Sequence, residues 1–264
     1  MYTFGFIGCG NMGGALAVAV SKKEKNIALA DKNGESCEKL AALTGGAVSS
    51  NEDIAKNARY IVLGVKPQIL PAVLEELAPT IEERTSPVTV ISMAAGVSLE
   101  KLGAYLPKTP VIRIMPNTPA AVGEGMIVYC TSPNVSEEDR LFFESAFSPA
   151  GDISLIPENL IDAASAISGC GPAFVYMFTE ALIDGGIRSG LPAPLAKQLA
   201  AKTVSGAGKT VLLSDKHPGE LRTAVCSPAG STIEGVAVLE KAGMRSAVAE
   251  AVSAAYLRTK ELGK

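Results

Sequence analysis

The feature that most constrains the fold is Gly8-Cys9-Gly10-Asn11-Met12-Gly13, a glycine-rich turn placed directly after the apolar run Phe4 to Ile7 and directly before a helical pattern. A strand, a G-x-G-x-x-G turn and a helix in that order form the opening of a dinucleotide-binding βαβ unit. Each glycine has a physical task. Gly8 permits the tight turn, Gly10 lets a pyrophosphate approach the backbone, and Gly13 lets helix and strand pack closely, while the helix start supplies N–H donors to phosphate. An ordinary glycine turn is the alternative reading, and it leaves the second strand, Ile27 to Ala30, and the acidic residue at its end without a reason.

Short β-branched runs alternate with helical patterns up to about residue 155, which predicts successive βαβ units in a mainly parallel sheet. After Phe4 to Ile7 and Ile27 to Ala30, strands are expected at Ala47 to Val48, Tyr60 to Val65, Val88 to Ser92, Val111 to Ile114, Met126 to Cys130 and Ile153 to Leu155. Helices are expected near 12–22, 35–43, 52–57, 68–77, 98–103 and 136–146. From about residue 158 only helical patterns rich in Ala and Gly remain, opened by Pro192 and Pro194 and punctuated by Gly185-Gly186 and Gly190. The reading is therefore a doubly wound α/β domain over 1–157 followed by an all-α domain over 158–264. Small residues such as Ala200, Ala201, Gly206 and Gly208 suit close helix-to-helix approach, and so few large apolar groups would gain most from packing on a second copy.

Composition removes several other classes. With 24 basic and 27 acidic residues in 264, and no run of five or six like charges, nucleic acid is not an expected partner, and a small molecule is. The five cysteines are odd in number and widely spaced, with no C-x-x-C pair, which excludes a disulfide framework or zinc cage and fits a reducing, cytoplasmic compartment. The uncharged start carries five glycines and no basic flank before Lys22, unlike a signal peptide. The uncharged stretch Ala163 to Thr179 is interrupted by Ser168-Gly169-Cys170-Gly171-Pro172, so no membrane span is expected.

Several segments hold candidate ligand groups. Asp31 stands where an acidic residue accepts hydrogen bonds from the adenosine ribose, and Lys32 beside it can pair with a 2′-phosphate; alternatively both are solvated loop charges. Val65-Lys66-Pro67 and Met93-Ala94-Ala95-Gly96 close two strands at the carboxyl edge, where ligands of doubly wound folds bind. In Arg113 to Pro119, two prolines predict a rigid loop, and Asn117 and Thr118 either orient a substrate or cap a turn. Ser231 and Glu234 match a capping box, so a helix is expected to begin at a serine cap and run toward Glu240. The turn before it, with the hydroxyls of Ser227, Ser231 and Thr232 and free N–H groups near Gly230, would receive a small carboxylate; a capped helix without a ligand is the alternative. The single histidine, His217, reads as a loop residue, and no metalloprotease or Ser-His-Asp set can be assembled.

These residues resemble pyrroline-5-carboxylate reductase over nearly the whole chain. The blocks that carry the resemblance are Gly5 to Met12, Gly64-Val65-Lys66-Pro67-Gln68, Arg113 to Pro119, Ser168 to Ala173, and Ser227 to Ile233. The last two are the specific ones. What the resemblance implies is a Rossmann domain, an all-helical dimerisation domain, an active site between them, and reduction of 1-pyrroline-5-carboxylate to L-proline by hydride from NAD(P)H. It assigns the cofactor to Ile7, Gly8, Cys9, Gly10, Asn11, Met12, Gly13, Asp31, Lys32, Asn51, Val65, Lys66, Pro67, Ala94 and Ala95. Substrate falls to Ser227, Gly230, Ser231 and Thr232, with Thr232 the catalytic donor. The expected cofactor is NADP(H), with NAD(H) also accepted and no metal, in a homodimer or an oligomer of such dimers.

Two departures mark this chain. Ala229 stands where the family more often has glycine, and Asp31 is not typical of its NADP-preferring members. The rival enzyme class is a 3-hydroxyacid dehydrogenase of the 6-phosphogluconate type, whose catalytic lysine follows a Gly-rich segment; here no lysine follows Gly169-Cys170-Gly171 before Lys197. A noncatalytic NAD(P)-binding sensor is the rival from another class, and it would not need the Ser227 to Thr232 turn.

Overall fold

A computed structural model describes residues 1–262. Its backbone divides into two compact units, one comprising Met1–Cys170 together with the stretch from Ala255 onward, the other Gly171–Ala254. The first unit is built on one eight-stranded sheet: β1 (Tyr2–Ile7), β2 (Ile27–Ala30), β3 (Ala47–Val48), β4 (Ala58–Leu63), β5 (Thr89–Ser92), β6 (Val111–Met115), β7 (Gly125–Thr131) and β8 (Gly151–Leu155). The helices between them are α1 (Asn11–Val20), α2 (Gly34–Thr44), α3 (Asn51–Asn57), α4 (Leu70–Glu82), α5 (Leu99–Tyr105) and α6 (Glu137–Phe147), and α7 (Ile161–Ser168) follows the last strand.

The strand order is β3-β2-β1-β4-β5-β6-β7-β8. Strands β1 to β6 are parallel, β7 runs antiparallel to β6, and β8 is parallel to β7. The order reverses between β1 and β4, which makes that point the crevice where an open α/β sheet binds its ligand. Both faces are covered, as a mainly parallel sheet requires. Phe4, Phe6, Tyr60, Val62 and Ile114 share one core with Leu16, Phe143 and Phe147. Their chain neighbours Ile7, Ile61 and Leu63 point the other way, into a core with Val90, Ile54, Leu70, Leu74 and Leu102. This is the period-two alternation of strands buried on both faces.

Two boundaries differ from expectation. Strand β4 ends at Leu63, so Val65-Lys66-Pro67 lies beyond it, because Gly64 turns the chain away while donating its N–H to Ile7 O at 2.8 Å. Helix α4 continues through Pro79 to Glu82, since Leu70, Val73, Leu74, Leu77, Ala78 and Ile81 form one unbroken buried stripe. Burial of that stripe outweighs the hydrogen bond a proline removes.

The second unit contains α8 (Gly171–Arg188), α9 (Ala193–Leu213), α10 (Pro218–Ala224) and α11 (Ser231–Lys241); α12 (Met244–Leu262) continues past its end. Gly185 and Gly186 do not punctuate anything: they lie inside α8, and the break comes at Gly190, which has φ +96°. A Cβ on Gly186 would stand 3.3 Å from both Ala196 Cβ and Leu191 Cδ1, so the residue is glycine to let α8 and α9 approach. His217 is the N-cap of α10, its Nδ1 accepting a hydrogen bond from Gly219 N at 3.1 Å. Among the described residues α8, α10 and α11 bury no side chain, and Val175, Tyr176, Met177, Leu199, Leu212 and Leu213 stand exposed. The stretch Glu158–Arg188 is apolar and long enough by composition to cross a membrane, with hydropathy 1.3, but it is divided at Gly169-Cys170 into α7 and α8.

Candidate active site

The glycine turn after β1 is held by three glycines rather than two. A Cβ on Gly13 would lie 2.1 Å from Gly8 O, and one on Gly64 would lie 2.4 Å from the same atom. Gly8 itself has φ +95° and no room for a side chain against the Gly64 carbonyl. Gly10 is the opposite case: nothing lies within 4 Å of a Cβ built there. It is also the N-cap of α1 and offers no side-chain cap, so the first-turn N–H groups of α1 open toward that space. Such a cradle, open at Gly10 and closed at Gly8 and Gly13, fits a dinucleotide pyrophosphate.

A cleft of about 250 Å³ lies beside this turn, lined by Ile7, Gly8, Gly10, Asp31, Lys32, Asn51, Val65 and Lys66, together with Gly64, Ile69 and Val73. Eight of the residues expected at the cofactor are thus gathered in one place. Asn51 reaches it as the first residue of α3, whose cap is the Ser50 hydroxyl accepting from Asp53 N. Asp31 does more than face the cleft. Its Oδ2 accepts from Cys9 N at 2.6 Å and its Oδ1 from Asn33 N at 2.9 Å, so the carboxylate braces the glycine turn from β2. Each carboxylate oxygen retains a further lone pair for a ribose hydroxyl.

The other expected cofactor residues stand outside that cleft. Pro67 and Ala95 line a neighbouring apolar cavity of about 470 Å³ with Leu70, Leu74 and Tyr105. Ala94 is buried at the end of β5, Met12 packs on the first core, and Asn11 is exposed on α1. Cys9 points inward, its Sγ 3.5 Å from Ala30 O, and burial pushes its thiol up to about 12, with Cys37 and Asp31 adding to the effect. A thiol so placed stays protonated at neutral pH. Gly64 was not singled out as a site residue, though its signal is legible as a third glycine closing the strand next to the G-x-G turn.

In the helical unit, Ser227-Pro228-Ala229-Gly230 forms a turn closed by Gly230 N donating to Ser227 O at 3.0 Å. Pro228 at the second position and positive φ at the third are the pattern of a type II turn. Ala229 occupies the third position with φ 56°, and it is the one non-glycine residue with positive φ among those described. A left-handed alanine is disfavoured by about 1–2 kcal/mol, and glycine gives back about 0.5–1 in chain entropy. Ala229→Gly is therefore expected to stabilise the protein by about 0.5–1 kcal/mol, read as a higher midpoint in thermal or denaturant unfolding. An unchanged or lower midpoint would show that the turn stores no strain.

The expected capping box does not form. Gly230 is the N-cap of α11, Ser231 is its first helical residue and Thr232 its second, and no side chain caps the helix. The type II turn delivers the chain in extended geometry one residue before Ser231, with Gly230 at ψ 162°. A Cβ on Gly230 would lie 2.2 Å from Ser227 Oγ, so a larger residue there would turn the serine hydroxyl away from its present position. The outcome is an uncapped helix start with the exposed hydroxyls of Ser227, Ser231 and Thr232 around it. An anion could supply the missing cap.

Asn117 answers the question of turn or ligand. Its Nδ2 donates to Ser168 O and its Oδ1 accepts from Met126 N, both at 2.9 Å, so its amide is spent inside the fold. Thr118 opens a 3-10 turn, Thr118–Val122.

Comparison with known proteins adds to this geometry. Residues 158–262 match the family model described as pyrroline-5-carboxylate reductase dimerisation, and residues 3–96 match that described as NADP oxidoreductase, coenzyme F420-dependent. Pyrroline-5-carboxylate reductase 3 of Xenopus laevis is 40% identical over 265 residues, covering 98% of this chain and 96% of the relative. The chain belongs to the pyrroline-5-carboxylate reductase family. The Synechocystis pyrroline-5-carboxylate reductase is 44% identical over 214 residues, 81% of this chain and 79% of that one. Among solved structures, the Plasmodium falciparum pyrroline carboxylate reductase with NADP bound aligns with TM-score 0.87 at 35% identity, over 100% of this chain and 98% of that chain. As a member of this reductase family, the protein is an NAD(P)-dependent oxidoreductase with a Rossmann-type sheet and a helical dimerisation domain.

Proposed function

We propose that this protein reduces 1-pyrroline-5-carboxylate to L-proline, with a cofactor domain over residues 1–157 and a dimerisation and substrate domain over 158–264. The observation that carries the reading is the pairing, in one chain of this family, of a glycine cradle fitted to a dinucleotide with an uncapped helix start fitted to a small carboxylate. The nicotinamide cofactor supplies the hydride. The chain's own part is to bind and orient. Gly10 and the first turn of α1 receive the pyrophosphate, Asp31 and Lys32 the adenosine ribose, and Val65, Lys66, Pro67, Ala94 and Ala95 the nicotinamide end. Ser227 and the N–H groups of Gly230 to Thr232 hold the substrate carboxylate. The Thr232 hydroxyl donates to the ring nitrogen.

No strong acid is required. A cyclic imine becomes electrophilic at carbon five once its nitrogen is protonated, and water can supply that proton, so orientation is the main service and is worth about 7–11 kcal/mol. This accounts for a site without histidine. The test is a steady-state assay of pyrroline-5-carboxylate reduction with NADPH and with NADH. Turnover with either supports the reading; binding of cofactor without turnover would make the protein a sensor.

Both cofactors are expected to work, with NADPH preferred because the exposed Lys32 can meet a 2′-phosphate. Lys32→Ala should raise KM for NADPH by about tenfold, or 1.4 kcal/mol, and leave that for NADH within about twofold. Equal effects on both would remove Lys32 from cofactor choice.

The assembly proposed is a homodimer, or an oligomer of such dimers, formed through the helical unit whose apolar side chains stand exposed. No stable folded monomer is expected, because helices that bury nothing in one chain need a second copy to cover them. Sedimentation equilibrium at nanomolar concentration checks this, and a folded species of single-chain mass would contradict it. Five unpaired thiols fit a reducing compartment such as the cytoplasm.

A further inference from the structure

Arg113 sits in the middle of β6 with its side chain 5% exposed. One arm of its guanidinium donates to Glu158 Oε1 at 2.9 Å and another to Asp162 Oδ1 at 3.1 Å. Its Nε is buried with no partner. A buried arginine with an orphaned nitrogen is a poor stabiliser, since apolar packing of the same volume would do as well or better. What such an arrangement supplies is a fixed geometry.

The geometry it fixes is specific. Glu158 Oε1 also accepts from Leu99 N at 2.7 Å, the first N–H of α5, three residues beyond the Ala94-Ala95-Gly96 edge. That edge is otherwise loosely tied: Met93 N reaches Leu63 O at 3.3 Å, while Ala94 N to Ser92 Oγ and Val97 N to Ala94 O are both 3.4 Å. The short bond from Glu158 is its firmest backbone anchor. Four residues on, two beyond the end of β6, Asn117 holds Ser168 O at the far end of α7, whose first turn is held by Arg113 through Asp162.

We propose that Arg113 and Glu158 are positioning residues for hydride transfer, fixing the nicotinamide edge from the side of α5 while Arg113 and Asn117 hold α7 at both ends. The inference rests on the proposed function, which places the nicotinamide at Ala94 and Ala95. It assigns Arg113 and Asn117 to geometry rather than to contact with either ligand.

Two variants test it. In Arg113→Lys a single ammonium replaces the planar fork and cannot serve both carboxylates in the same way. Glu158→Ala removes the anchor at a residue whose side chain is already 35% exposed, so the chain should fold even if the first variant does not. For each, kcat should fall about tenfold, the deuterium isotope effect on kcat with cofactor dideuterated at C4 should rise, and the cofactor Kd should stay within twofold. Glu158→Gln, which keeps an acceptor for Leu99 N, should recover at least half of the loss. If Glu158→Ala keeps kcat and isotope effect within twofold of wild type, or if kcat and cofactor Kd worsen together, the residues are merely structural and the inference falls. A wild-type protein that does not reduce the imine at all overturns the proposed function instead, and this inference with it.

Discussion

Replacing Thr232 by valine is expected to lower turnover by roughly 10²- to 10⁴-fold, the usual contribution of a positioned proton donor or its hydrogen-bond equivalent. Thr232 is the second residue of α11 and exposed beside the Ser227 to Gly230 turn, so valine keeps the shape and removes only the donor. The proposed carboxylate anchors, Ser227 and the N–H groups of Gly230 to Thr232, are untouched. KM for the imine should therefore change much less than kcat, and cofactor affinity not at all. Steady-state kinetics on the purified, dimeric variant give the answer. A rate within about threefold of wild type, under 1 kcal/mol, would mean that water delivers the proton and that the hydroxyl has no chemical part.

The second large effect is a contrast between two glycines three residues apart. Gly13→Ala should prevent the first unit from packing, because the new Cβ would stand 2.1 Å from Gly8 O with the Gly64 backbone behind it. All the colliding atoms are main chain, and Gly8 is held by its N–H to Ala30 O at 2.8 Å. A cost of about 3 kcal/mol or more is expected, seen as lost soluble protein or a large drop in unfolding midpoint. Gly10→Ala should leave that midpoint alone, since its Cβ meets open space, yet weaken cofactor binding by about 100-fold where the methyl enters the phosphate position. Equal midpoints for the two variants would refute the division of labour among the glycines; unchanged cofactor affinity in Gly10→Ala would move the phosphate elsewhere.

The strands were legible in advance because most are short apolar runs bounded by turn residues, the pattern of strands buried on both faces. Gly8 and Gly13 were legible because their steric task is local. Misreadings arose where a distant partner decides. Gly186 looks like a helix breaker until Ala196 is seen against it, and the helix expected near 68–77 runs on to Glu82 because Ile81, beyond Pro79, completes the buried stripe. Ser231 and Glu234 have the right spacing for a capping box, but the preceding turn, set by Pro228 and a left-handed Ala229, shifts the cap to Gly230. Arg113 was visible as part of a motif, whereas Glu158 and Asp162, 45 and 49 positions later, carry no local sign that they complete it.

The reversed direction of β7 and β8 sets a distance that the chain has to make good. Had they run with β6, the chain would leave the sheet heading past the edge where the glycine cradle lies; instead β8 runs back from that edge, and Leu155 ends level with Ile114 through Tyr129. Helix α7 makes up the difference, advancing from Arg113 in β6 to Asn117 two residues beyond its end, a span of about 13 Å of extended chain. Its eight residues rise about 12 Å, so its length acts as a ruler. Removing one helical turn would bring the chain to Gly169 about 5 Å short, which makes α7 a segment that tolerates substitution far better than insertion or deletion.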